Sequence, residues 1–157
     1  EDTTCAPIPV DAELGAGNPF GAYAKTKWGM SLKEVKRVAK GKLISQDPRT
    51  LIYGSKLLGR DCSIRYVFDE TGLVEACYEI RGILGDEGYA QKDLEQILAL
   101  LEKYYQKPGI LSVEQAFFST RYWMIPDLLT VIYLGIAELD PSLIFVRFVN
   151  RKDNEWE

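Results

Sequence analysis

Residues 61–80 read Asp61-Cys62-Ser63-Ile64-Arg65-Tyr66-Val67-Phe68-Asp69-Glu70-Thr71-Gly72-Leu73-Val74-Glu75-Ala76-Cys77-Tyr78-Glu79-Ile80. Apolar and polar residues alternate on both sides of a turn, the period of a half-buried strand. Cys62, Ile64, Tyr66 and Phe68 share one face of the first strand; Ser63 and Arg65 take the other. Val74, Ala76, Tyr78 and Ile80 share a face of the second. A three-residue loop, Glu70-Thr71-Gly72, with Gly72 in the left-handed conformation, pairs Asp69 with Leu73. Phe68 then faces Val74, Tyr66 faces Ala76, Ile64 faces Tyr78 and Cys62 faces Ile80, all on one buried surface. A two-residue loop would turn Glu75 and Glu79 into that surface, because a slip of one residue exchanges the faces. The same register puts Cys62 in the core and Cys77 on the outer face, too far turned apart to bond to each other.

Working outward, Ser31-Leu32-Lys33-Glu34 is a capping box, in which the serine hydroxyl and the glutamate carboxylate each satisfy a free amide of the first helical turn. Leu32, Val35 and Val38 follow at helical spacing and Gly41 is a stop, which predicts a helix over 32–40. Thr50 to Leu58 reads as a strand leading into the 61–80 hairpin. A second helix is predicted over 91–106 from Leu94, Ile97, Leu98, Leu101 and Tyr105, ending at Lys107-Pro108-Gly109. Phe117–Ile125, Leu129–Ala137 and Leu143–Val149 read as strands. The expected order is helix, three strands, helix, three strands: an α+β two-layer domain, with an antiparallel sheet, helices packed on one face and the two halves forming a pseudo-repeat. Residues 25–149 form the domain and 150–157 a polar tail. The first 24 residues carry four acids, no bases and several Pro and Gly, and are expected to be a flexible arm.

With 157 residues, 46% of them hydrophobic, the chain can enclose one core. It has no histidine. That excludes a Ser-His-Asp triad, a Cys-His dyad, a histidine base and any His-ligated zinc or iron. A net charge of −4 argues against a general nucleic-acid binder. Cys5, Cys62 and Cys77 are too scattered for a disulfide framework or zinc site. The longest strongly apolar run, Leu128–Ala137, is too short to span a bilayer. The chain begins at Glu1 without Met, which predicts that a leader has been removed and that the protein is exported, to the periplasm or cell envelope.

Three local patterns carry a resemblance. They are Lys25-Thr26-Lys27-Trp28-Gly29-Met30-Ser31 followed by Glu34-Val35; Tyr53 to Leu58 leading into Ile64, Tyr66, Phe68 and Leu73; and Tyr89, Asp93-Leu94, Leu101, Lys103-Tyr104 and Lys107-Pro108. Over residues 25–149 the chain resembles a group of exported bacterial domains, many of unknown function. Their architecture is similar to the β-lactamase-inhibitor-protein fold, also seen in the small lipoprotein of the outer-membrane β-barrel assembly machinery. The resemblance implies that fold and an envelope location, and brings no catalytic residues. The group often has Gly after the tyrosine of the second helix, where this chain has Tyr105-Gln106.

Residues 25–42 hold seven bases, Lys25, Lys27, Lys33, Lys36, Arg37, Lys40 and Lys42, against one acid, Glu34. They are a candidate patch for an anionic surface such as phospholipid head groups or an acidic protein; the competing reading is a solvated helix face paired with acids of the sheet. Asp61, Asp69, Glu75 and Glu79 share one face of the hairpin. Cross-strand ion pairs, among them Arg81 with Asp61, explain them more simply than acid/base catalysis does. Cys77, placed outward, could remain a free thiol or join Cys5 in a disulfide. Trp28, Phe117, Phe118, Tyr122 and Trp123 read as core rather than as a ligand groove. The sequence thus predicts a non-enzymatic domain without catalytic residues, metal or cofactor, binding a protein or envelope component. The alternatives are a protein-inhibitor module, a small lipid or ligand carrier, or a carboxylate-dependent hydrolase. An open sheet face would favour the first two readings and a deep apolar cavity the carrier.

Overall fold

The structure, a computed structural model, describes residues 19–86, 88, 90–105, 110–114, 119–125, 130–137 and 139–151. A helical turn, α1 (Gly21–Ala24), precedes α2 (Leu32–Val38) and four strands: β1 (Leu43–Asp47), β2 (Thr50–Leu57), β3 (Arg60–Asp69) and β4 (Gly72–Arg81). Then come α3 (Gln91–Tyr105) and four more: β5 (Ile110–Glu114), β6 (Ser119–Ile125), β7 (Thr130–Ala137) and β8 (Asp140–Asn150). All eight strands form one antiparallel sheet in the order β1-β2-β3-β4-β8-β7-β6-β5. The architecture is mixed α and β as expected, but sheet-dominated. Each helix is followed by four strands, not three: β1 and β5 were not foreseen.

One face of the sheet carries the core. Across five strands the inward rows run Leu51–Tyr66–Ala76–Phe148–Ile132 and Tyr53–Ile64–Tyr78–Val146–Leu134. All ten residues are buried. Val35 of α2 and Ile97, Leu101 and Tyr105 of α3 pack into the same cluster, so both helices cover this one face. The α2 capping box forms as predicted: Glu34 N–H donates to Ser31 Oγ at 3.1 Å and Ser31 N–H to Glu34 Oε1 at 2.8 Å. At the start of α3, Asp93 pairs with Arg60 of β3 and accepts from Ile83 N–H at 2.8 Å, fastening the helix to the end of the β2–β3 hairpin.

Three expectations are corrected. First, the flexible arm does not extend to residue 24. Phe20 and Tyr23 are buried, and Tyr23 stacks on Phe148 at 3.9 Å between ring centres. Aromatic area of this size outweighs the local Pro and Gly content. Residues 1–18, including Cys5, lie outside the described residues, as do 152–157 of the tail; Asn150 belongs to β8.

Second, the β3–β4 turn has two residues. Asp69 pairs with Gly72 and Phe68 with Leu73, and a bulge at Val74 restores Tyr66↔Ala76 and Ile64↔Tyr78. The expected body of the register therefore holds, with Leu73 in place of Val74 in the core. Leu73 turns its free backbone groups to the Trp-Gly-Met segment: Gly29 N–H donates to Leu73 O at 3.1 Å and Leu73 N–H to Met30 O at 2.8 Å. β8 pairs with β4 only from Glu75 onward, and this segment takes up the Leu73 groups that lie beyond it.

Third, Arg81 does not pair with Asp61. It reaches Asp140 at 2.6 Å and Ser142 at 2.7 Å across the β7–β8 end, while Asp61 takes Lys56 at 2.7 Å. The placement of β8 beside β4, which local spacing does not show, offers Arg81 two acceptors instead of one. Among the described residues no helix is long and apolar enough to cross a membrane.

Candidate functional site

Of the predicted positions, the basic segment is the best candidate. All seven of its cations are exposed. Among the described residues none is in an ion pair; Lys36 donates a hydrogen bond to Gln46 at 3.1 Å. The expected compensation by acids of the sheet is absent there, because those acids are committed elsewhere. Glu75 holds Arg147 through two 3.1 Å hydrogen bonds and Glu79 lies 3.7 Å from Arg65. Asp69 caps its own turn, accepting from Thr71 N–H at 2.8 Å and Thr71 Oγ1 at 2.6 Å.

The fold divides the seven cations into two groups. Lys27, Lys33, Lys36 and Arg37 belong to the helix and its approach. Lys25, the C-cap of α1, and Lys40 and Lys42, beyond the end of α2, stand around a groove of about 690 Å³. The groove opens because α2 stops at Val38 and is too short, at roughly 10 Å, to cover the inner face of the β2–β3 hairpin. Its floor is Tyr53, Ile64 and Tyr66, with Ser55 and Cys62 at one end; its walls are Gly21 and Ala22, Val38 to Lys42, and Ile44. Lys56 and Asp61 close the rim as an ion pair. The volume falls in the ~300–1,000 Å³ range of small-molecule sites. Lys56 and the apolar walls were not foreseen, since they come from four separated stretches with no motif among them.

Burial shifts two titratable groups of the groove. It pushes the Cys62 thiol up to about 11, against a smaller opposing effect of the hydrogen bond from Ser55. The Tyr66 phenol is pushed up in the same way and donates to Ala22 O at 3.3 Å, tying α1 to the floor. Both groups stay protonated at neutral pH.

On the opposite face, Cys77 points outward as the register requires, yet it is 1% exposed. It lies in the row Arg65–Cys77–Arg147–Tyr133, and the two ion pairs with Glu79 and Glu75 close over it. Burial pushes its thiol up to about 12. Cys77 is a free thiol in this structure, and Cys5, the other half of the expected bridge, lies outside the described residues. Trp28 is half-buried and donates from Nε1 to Thr130 Oγ1 at 2.9 Å, a structural tie. Phe117 and Phe118 lie outside the described residues, as do the side chains of Tyr122 and Trp123. Among the described residues, no three Cys, Asp or Glu side chains come together as a set of metal ligands.

Compared with known proteins, the chain matches no family model, no curated protein and no solved structure.

Proposed function

We propose that this protein is a non-enzymatic, exported domain that binds an anionic component of the cell envelope through the basic segment 25–42. One observation carries the reading: seven exposed cations fall within residues 25–42 of an acidic chain, without ion-pair partners among the described residues. Unpaired surface charge of one sign raises the local concentration of opposite charge and steers its approach. The arrangement of strands supports the resemblance to the inhibitor-protein fold. β1, β2, β3 and β4 start 67 to 70 residues before β5, β6, β7 and β8, with β4 beside β8 at the centre, as a pseudo-repeat of helix plus four strands requires. Retention of the full chain on native envelope membranes tests the proposal, with a Lys33→Gln, Lys36→Gln, Arg37→Gln variant beside it. Retention that the variant loses supports the reading; equal retention of the two contradicts it.

A protein partner is the second reading, favoured by the outer sheet face. There Arg65, Arg147, Tyr133 and Phe145 lie half-exposed on neighbouring strands, the residue types that anchor protein interfaces.

A further inference from the structure

We propose that the groove beside α2 binds a single-chain anionic amphiphile, a long-chain carboxylate, with its alkyl chain against Val38, Ala39 and Ile44 and its head group among Lys25, Lys40 and Lys42. The inference rests on the reading of the basic segment as an anion-binding surface and names the ligand of one part of it.

The apolar wall and the basic rim of the groove act independently. The apolar wall of the groove, the exposed Ile44 with the half-buried Val38 and Ala39, gains from covering by apolar chain, whatever its end group. Three exposed lysines around the same groove, without ion-pair partners among the described residues, select the end group by charge. The one acid on the rim, Asp61, is held by Lys56 and does not repel a carboxylate as a free acid would. Lysine is suited to this rim. Its hydrated ammonium on a flexible stem follows a mobile head group while its methylenes extend the apolar wall. A short anion would meet the lysines without the apolar wall. A neutral amphiphile would meet the wall without the lysines.

Cys62, at the end of the floor, reports occupancy, and Cys77, buried on the opposite face, is the internal control. The full chain is labelled with maleimide in mildly alkaline buffer and each cysteine is read by peptide mapping. Labelling is compared with and without dodecanoate below its micellar concentration, with dodecyl maltoside and with acetate. The expected result is slower labelling of Cys62 with dodecanoate only, Cys77 unchanged, and a dodecanoate affinity about tenfold lower in the Lys40→Gln, Lys42→Gln variant. No protection, equal protection by dodecyl maltoside, or protection of Cys77 to the same degree overturns the proposal. If dodecanoate fails while anionic vesicles still bind the protein, the groove assignment falls and the surface reading stands.

Discussion

Gly41 is pressed against Gly54: the loop after α2 runs so close to β2 that a β-carbon at Gly41 would overlap the Gly54 carbonyl oxygen. Gly54 N–H donates to Lys42 O at 2.8 Å in the same contact. Gly41 also holds φ +108°, a region open to glycine and strained for other residues. This contact is what sets Lys40 and Lys42 at the groove rim.

Gly41→Ala is therefore expected to lower stability by about 1–3 kcal/mol from backbone strain alone, and to weaken dodecanoate binding by moving both lysines. Urea denaturation measures the first effect and Cys62 protection the second. Gly72→Ala meets a harder obstacle. Its β-carbon would stand 2.8 Å from Gly29 Cα and closer to the Gly29 carbonyl, so it should be the more destabilising of the two.

Phe20→Ala should cost about 3–5 kcal/mol, the price of a fully buried aromatic side chain. Phe20 is 0% exposed and meets Tyr78 edge-on at 5.6 Å and Phe148 at 5.7 Å. An arm with no core role would give a change within about 0.5 kcal/mol. The urea midpoint separates the two outcomes.

Which parts of this were legible in the chain follows from how local each signal is. The Ser31/Glu34 capping box spans four residues, and the Tyr66/Ala76 pairing follows from alternation on both sides of one turn; both formed as read. The turn itself was misread because alternation does not show the extra residue at Val74, and because Gly72 and Leu73 are held by Gly29 and Met30, some forty residues away. β1 escaped notice because all five of its residues are exposed, so Leu43 and Ile44 give no alternation. Phe20 and Tyr23 sit among Pro and Gly, and only Phe148 at the other end of the chain reveals why they are buried. The basic segment was legible as charge. The groove was not, because its floor, walls and rim meet only after folding.

Alkaline pH should unfold the protein progressively between about 9 and 12. In the unfolded chain the Cys77 thiol ionises near 9 and the Tyr23 phenol near 10, while burial pushes both up to about 12 in the fold. Across that window the unfolded chain releases protons that the folded one keeps, so stability falls as pH rises. Thermal midpoints at stepped pH should decline from about 9 upward, and more gently in Cys77→Ala.

A thiol count should give three reactive groups after denaturation, with Cys77 unreactive in the native protein. Its cover is the Glu75–Arg147 and Glu79–Arg65 pairs, so Arg147→Ala should open it to reagent. Two thiols fewer under denaturing conditions would instead establish a bridge from Cys5.

The most direct test of the proposed function is co-sedimentation of the full chain with vesicles of phosphatidylglycerol and of phosphatidylcholine over a salt series. Exposed charges are screened beyond about 10 Å at 0.1 M salt and about 3 Å at 1 M. The predicted result is binding to phosphatidylglycerol alone, falling steeply with salt, and weakened in the Lys33→Gln, Lys36→Gln, Arg37→Gln variant. Equal affinity for both lipids, or no binding at low salt, would contradict it.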